Sequence, residues 1–251
     1  MLKAVLFDVD DTLIDWSRFE DDWTSHEIHH LRGVFDHLNT DLNGGLDDLE
    51  AYMTEFRNRA IAAWTNARTT MIAPHVGKVL MESAVALGVL ADKLDQNTLL
   101  RHYGWRKIPG TYVFPDVPPT LRTLIEHGVK VGVVTNAFQP MVLREVEFEQ
   151  HGILDYFPEC RVSAADVGYL KPHPAIFELA LKKIGAAPEE TVFVGDDPEA
   201  DVVGAQGMGM KAVLRRSPRR PLDEARIRPD AIVSDLYAIL PLLDTWFPGW
   251  R

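Results

Sequence analysis

Val5-Leu6-Phe7-Asp8-Val9-Asp10-Asp11-Thr12-Leu13 is the stretch on which the fold of this 251-residue chain turns. Residues 3–7 carry an apolar run with no polar alternation, the pattern of a strand buried on both faces, and the run leads directly into acids. Asp8 and Asp10 stand two apart, so the period of an extended chain turns both carboxylates toward the same side. Acids after a strand can simply cap the segment that follows. They can also act together on a phosphate, provided a cation neutralises the charge, and hard oxygen ligands of this kind imply Mg²⁺.

Outward from this stretch, short apolar runs recur at 129–134, 191–194, 212–214 and 231–233, each a candidate parallel strand. Helix-like segments at 118–126, 141–150, 174–184 and 236–243 lie between or after them. The alternation predicts an α/β fold, a doubly wound, Rossmann-like parallel sheet whose ligands gather at the carboxyl ends of its strands, near the point where strand order reverses. From about 16 to 108 the alternation stops and the apolar spacing becomes helical. Leu31, Val34, Phe35 and Leu38 share one face; Leu46, Leu49, Met53, Phe56, Ala60 and Ala63 share a second; Val76, Val79, Leu80, Ser83 and Leu87 share a third. The expected organisation is a catalytic core of residues 1–16 and 109–251 with an all-helical cap domain over 17–108.

Composition narrows the partners. With 37 acidic against 26 basic side chains the net charge is -11, which opposes nonspecific attachment to nucleic acid or anionic lipid, so an anionic substrate must be held by local positive groups. Cys160 is the only cysteine; no intramolecular disulfide can form, and a cytoplasmic setting with Cys160 as a small buried hydrophobe is expected. The first apolar run is too short for a signal-peptide core or a membrane span. The basic run at 215–220, interrupted by Pro218, reads as a solvated loop.

Three further segments stand at expected strand ends: Val133-Val134-Thr135-Asn136, then Gly168-Tyr169-Leu170-Lys171-Pro172, then Val192-Phe193-Val194-Gly195-Asp196-Asp197-Pro198-Glu199-Ala200-Asp201. With the opening stretch, they resemble in order the four signatures of the haloacid dehalogenase (HAD) superfamily, and the insertion falls where members with a helical, C1-type cap carry it. The resemblance implies the phosphatase branch. Asp8 would be the nucleophile and Asp10 the acid, then base; Thr135, the Asn136 backbone amide and Lys171 would hold the phosphoryl oxygens. Mg²⁺ would be bound by Asp8, the Asp10 backbone carbonyl and Asp196, with Asp197 an alternative ligand and Asp201 farther out.

Other readings compete. Haloacid dehalogenases attack carbon, and their first signature lacks the second acid that Asp10 supplies. Phosphomutases use the same acids, with Gly usual where Asp11 stands. A non-catalytic phosphometabolite-binding protein would show degenerate signatures, and none is degenerate here. His26-Glu27-Ile28-His29-His30 satisfies the His-Glu-x-x-His zinc spacing but identifies no third ligand, so a solvated polar helix face is expected. Arg57, Arg59, Arg68 and Lys78 are read as solvated helix charge. The expected partner is a small phosphorylated metabolite, such as a sugar phosphate, an acyl-sugar phosphate or a nucleotide.

Overall fold

Ala4–Phe7 forms β1, with all four side chains buried. In the computed structural model, which describes residues 1–19 and 23–251, β1 lies between two longer-range partners. It pairs in parallel with β4 (Lys130–Thr135) on one side and β6 (Thr191–Gly195) on the other. β5 (Cys160–Ser163) extends the sheet beyond β4, and β7 (Lys211–Arg215) and β8 (Ala231–Val233) extend it beyond β6, giving the order β5-β4-β1-β6-β7-β8. The chain builds outward from β1 to β5, then crosses back to β6. Strand order therefore reverses beside β1, and Asp8 follows its last residue.

Alternation along β1 divides the core. Val5 and Phe7 join one apolar cluster, together with Val131, Val133, Val192 and Val194. Ala4 and Leu6 join the other, with Val134, Phe193 and Leu214. Helices α5 (Val117–Glu126), α6 (Met141–Gln150) and α10 (Ile239–Trp246) supply residues to the first cluster, and α8 (Pro174–Ile184) and α9 (Gly204–Gly207) supply the second. Short α7 (Ala164–Val167) follows β5. A sheet covered on both faces needs near-continuous apolar strands, as the runs in the sequence show.

The segment between β1 and α5 has its own core. Helices α1 (Trp23–Thr40), α2 (Leu49–Thr70), α3 (Val76–Ala86) and α4 (Gln96–Tyr103) bury Leu31, Val34, Leu38, Met53, Phe56, Val79 and Leu80 together. Leu87, expected on the third face, is exposed instead, at the C-cap of α3. The expected 17–108 domain includes residues 20–22, which lie outside the described residues. The chain enters and leaves this helical insertion through a two-stranded antiparallel stem, β2 (Ile14–Asp15) against β3 (Tyr112–Val113).

Sequence reading passed over β2, β3 and β5. The first two are two residues long, and β5 interrupts its apolar pattern with Arg161, half-buried and paired to Glu145 at 2.6 Å. The 215–220 run is an exposed loop at Arg216, Pro218, Arg219 and Arg220, as expected, but not at its first residue. Arg215 is buried against Asp116 at 2.8 Å, while the exposed Arg219 and Arg220 reach Asp11 and Asp197 at 3.2 Å each, acids near the site. Among the described residues, no helix is long and apolar enough to cross a membrane.

Candidate active site

Asp8 is still tied to the sheet, its N–H donating to the Val194 carbonyl at 2.9 Å. Its Oδ1 accepts from Lys171 Nζ at 2.7 Å and its Oδ2 from Thr12 Oγ1 at 3.4 Å. Lys171 is buried, donates also to the Val134 carbonyl at 2.8 Å, and makes a second ion pair with Asp201 Oδ1 at 2.7 Å. The Asn136 side chain grips the Lys171 backbone from both sides, accepting from its N–H at 2.7 Å and donating to its carbonyl at 3.1 Å. That grip leaves the Asn136 side chain as a clamp on Lys171. Thr135, buried at the end of β4, lines the same cavity.

Gly195 ends β6 and fixes the approach of the fourth segment. A Cβ there would lie 2.1 Å from Asp201 Oδ2, so only glycine lets that carboxylate reach its place. Asp197 caps the turn after β6, its Oδ1 accepting from the N–H groups of Glu199 and Ala200 at 3.0 Å each. Its own N–H donates to Asp201 Oδ2 at 2.9 Å. Asp201 thus has both oxygens engaged, and Asp197 faces Arg220. Asp196 differs: among the described residues its carboxylate makes no hydrogen bond and no ion pair, although the residue is only 5% exposed.

Asp8, Asp196 and Asp201 converge, with ligand oxygens within 4.8 Å of one another, on the wall of a cavity of about 140 Å³ that Asp10, Thr135, Asn136 and Lys171 also line. Burial, which Lys171 opposes, and then the charges of Asp201 and Asp10 push the Asp8 carboxyl up to about 7. Burial and the charges of Asp8 and Asp201 push Asp196 up to about 8. Lys171 moves above its usual range although burial alone would lower it, because Asp201 and Asp8 favour its charged form. The ammonium therefore stays protonated, and burial with mutual repulsion disfavours ionising both Asp8 and Asp196 until another positive charge arrives. A buried all-carboxylate cluster with one unpartnered member fits a hard divalent cation.

Asp10 sits in a loop folded back on the Val9 carbonyl, which accepts from the N–H groups of Leu13 and Ile14 at 2.8 and 2.9 Å. Both hydrogen bonds to its carboxylate fall on Oδ1, from Trp16 Nε1 and Arg144 Nη2 at 2.9 Å each. Arg144 is buried and also pairs with Glu147 at 3.0 Å, and Glu147 accepts from Trp105 Nε1 at 2.7 Å. A line of polar contacts thus runs from Asp10 through α6 to the end of the helical insertion. Arg144 and Glu147 were missed in the sequence, although a signal existed. They fall at i and i+3 on the apolar face of α6, beside Met141 and Phe148, where a charge needs a partner.

The expectation of a solvated His26–His30 face fails at Glu27 and His30, while His29 is exposed. Glu27 and His30 are buried; Glu27 accepts from Arg57 Nε, and His30 Nδ1 donates to the Tyr103 carbonyl at 2.9 Å between the rings of Tyr103 and Trp105. Burial lowers His30 to about 4, so it packs as a neutral ring. Arg57 is not free helix charge either, whereas Arg59 pairs with Glu55 along α2 at 2.5 Å and Lys78 lies 3.8 Å from Glu82 along α3.

Residues 2–209 match the family model described as a haloacid dehalogenase-like hydrolase. The chain belongs to this family. Among relatives, it is 31% identical over 218 residues to a glyceraldehyde 3-phosphate phosphatase of Methanopyrus kandleri, covering 86% of this chain and 84% of the relative. A solved HAD phosphatase from Thermococcus onnurineus superposes with a TM-score of 0.63 at 26% identity, over 96% of this chain and 98% of that one. A 2-haloacid dehalogenase from Pseudomonas syringae pv. Tomato DC3000 superposes with a TM-score of 0.64, also at 26% identity, over 98% and 100%. The chain is a HAD-like enzyme, a hydrolase of phosphoric monoesters.

Proposed function

We propose that this HAD-like hydrolase is a Mg²⁺-dependent phosphatase of a small phosphorylated metabolite, working through a phosphorylated Asp8. The observation that carries the metal is Asp196, a buried carboxylate without a protein partner beside the Lys171-bound Asp8. Asp8, Asp196 and the Asp10 backbone carbonyl would hold the cation, which supplies positive charge to the phosphoryl oxygens. Asp201, both oxygens engaged, positions Lys171, and Asp197 holds the turn.

Asp8 attacks phosphorus as the bond to the alcohol oxygen breaks, and Asp10 gives that oxygen a proton. Water then attacks the aspartyl phosphate, Asp10 takes back a proton, and Asp8 leaves as a carboxylate. Trp16 and Arg144, both on Oδ1, fix the Asp10 carboxyl and leave Oδ2 to carry the proton. Thr135, the Asn136 backbone N–H and Lys171 meet the phosphoryl oxygens. Residues 17–108 form the cap that closes on the leaving group, and the core comprises 1–16 and 109–251. The charge balance and single buried cysteine support a cytoplasmic enzyme whose partner is neither nucleic acid nor membrane.

The test is hydrolysis of a phosphomonoester panel in ¹⁸O-water. Phosphate release should stop in EDTA, return with Mg²⁺ and carry one water-derived ¹⁸O. Transfer of phosphate to a second sugar hydroxyl, without ¹⁸O in free phosphate, would make the enzyme a mutase. Full activity in metal-free buffer would remove the proposed site.

A further inference from the structure

A second cavity, of about 600 Å³, abuts the acid site and shares Asp10 and Asn136 with it. Trp16, Trp23, Trp64 and Trp105 line it, four of the six tryptophans in the chain. Phe138 lies among them, its ring 6.2 Å from Phe56 and 6.3 Å from Trp64, with planes tilted by 50° and 54°. Two charge pairs in the wall cancel, Asp10 against Arg144 and Glu27 against Arg57, which leaves the exposed Arg68 as the one lining charge without an ion pair among the described residues. At about 30 Å³ per molecule the space would hold roughly 20 waters, facing rings that offer them few hydrogen bonds.

We infer that this cavity receives the leaving alcohol, and that it selects phosphates of alcohols carrying a flat aromatic ring system. The inference rests on the phosphatase reading for its chemistry, since the two shared residues place the cavity on the leaving-group side of Asp8. A three-carbon substrate such as the one for which the Methanopyrus relative is named would leave most of the space wet. An aliphatic chain would displace the water, but an aromatic ligand also gains edge-to-face contacts with tilted indole and phenyl rings. The cavity volume lies in the range that buries a ligand of several rings.

The experiment compares 2-(2-naphthyl)ethyl, n-octyl and n-propyl phosphates on the full chain with Mg²⁺; all three expel a primary alkoxide, so the demand on Asp10 is matched. We expect kcat/KM about 100-fold higher for the naphthylethyl than for the propyl ester, mostly through KM, with octyl between them. Trp64→Ala should cut the naphthylethyl-to-propyl ratio about tenfold, and Trp64→Phe should restore most of it. Calorimetric affinities for Asp8→Asn protein separate the two readings. About 100-fold tighter binding of the naphthylethyl than of the propyl ester, with octyl weaker than naphthylethyl, supports the subsite even if no ester turns over. Equal affinities, or a ratio unmoved by Trp64→Ala, overturn it, whereas failure of all three esters to turn over refutes the phosphatase reading alone.

Discussion

Asp196→Asn should make the metal-free protein more stable while abolishing its activity. A carboxyl held at about 8 in the native state, against 3.8 ordinarily, keeps a proton that the unfolded chain has already released. Its folded value is raised, so its contribution is intact below about pH 4 and is lost as pH climbs toward 8, by at most about 1.4 kcal/mol per unit. Four units set a ceiling of about 6 kcal/mol. Burial is the largest cause of the shift, and the repulsion that adds to it is shared with Asp8 and Asp201, so about half, ~3 kcal/mol at pH 8, is assigned to Asp196. Asparagine keeps the shape and removes the titration. For a chain of this length ~3 kcal/mol corresponds to a rise in Tm of about 6–12 °C in EDTA at pH 8, shrinking to within about 3 °C near pH 4.5. Saturating Mg²⁺ should reverse the order, since a cation at 1,000 times its Kd adds about 4.1 kcal/mol to the native protein and little to the variant. Scanning calorimetry at three pH values, with and without Mg²⁺, reads all of this. An Asp196→Asn protein less stable than native in EDTA at pH 8, or a difference independent of pH, would refute the reasoning, because Asp196 would then be ionised and held by protein donors.

Asp10→Asn should still be phosphorylated by p-nitrophenyl phosphate, whose leaving group scarcely needs a proton; rapid mixing should show a burst near one equivalent and slow turnover, and equal impairment of both phases would contradict the acid-then-base role. Arg144→Met should destabilise by about 3–5 kcal/mol, because it leaves Glu147 buried with only Trp105 as donor, and Glu147→Gln on the same background should recover most of the loss in urea melts. Burial and the Asp10 charge already raise Glu147, against Arg144 and Trp105, so the single variant's deficit should widen as pH rises above about 5; a constant deficit would count against the pairing. Gly195→Ala should cost roughly 1–3 kcal/mol and lower kcat, since the new methyl displaces Asp201 from Lys171; a crystal structure with that ion pair intact would disprove the account.

The strands bearing Asp8, Thr135 and Asp196 were legible because strands buried on both faces must be written in apolar residues, and the chemistry sits where each run ends. β5 was not legible, since Arg161 can lie in an edge strand by reaching Glu145, a contact that no local pattern announces. Glu27 and His30 misled for a related reason. Their polar spacing suggested solvent, but Arg57, Tyr103 and Trp105, contributed from α2 and from the end of the insertion, cover them. Asp10 was readable as a site residue. Its partner Arg144 lies 134 positions away and became visible only when α6 was packed.

The central place of β1 has a consequence for synthesis on the ribosome. Its partners begin at Lys130 and Thr191, so the four apolar residues that precede the nucleophile emerge first and wait longest for a neighbour. The four helices that follow carry their own apolar cluster, assembled from contacts closer in sequence, and such contacts form fast. The nascent chain can therefore present a folded helical insertion tethered to an aggregation-prone strand that is unpaired until β4 emerges and open on one edge until β6 has cleared the exit tunnel. Translation pauses before β6 clears the tunnel would lengthen that exposure, whereas later pauses would find β1 already paired on both edges.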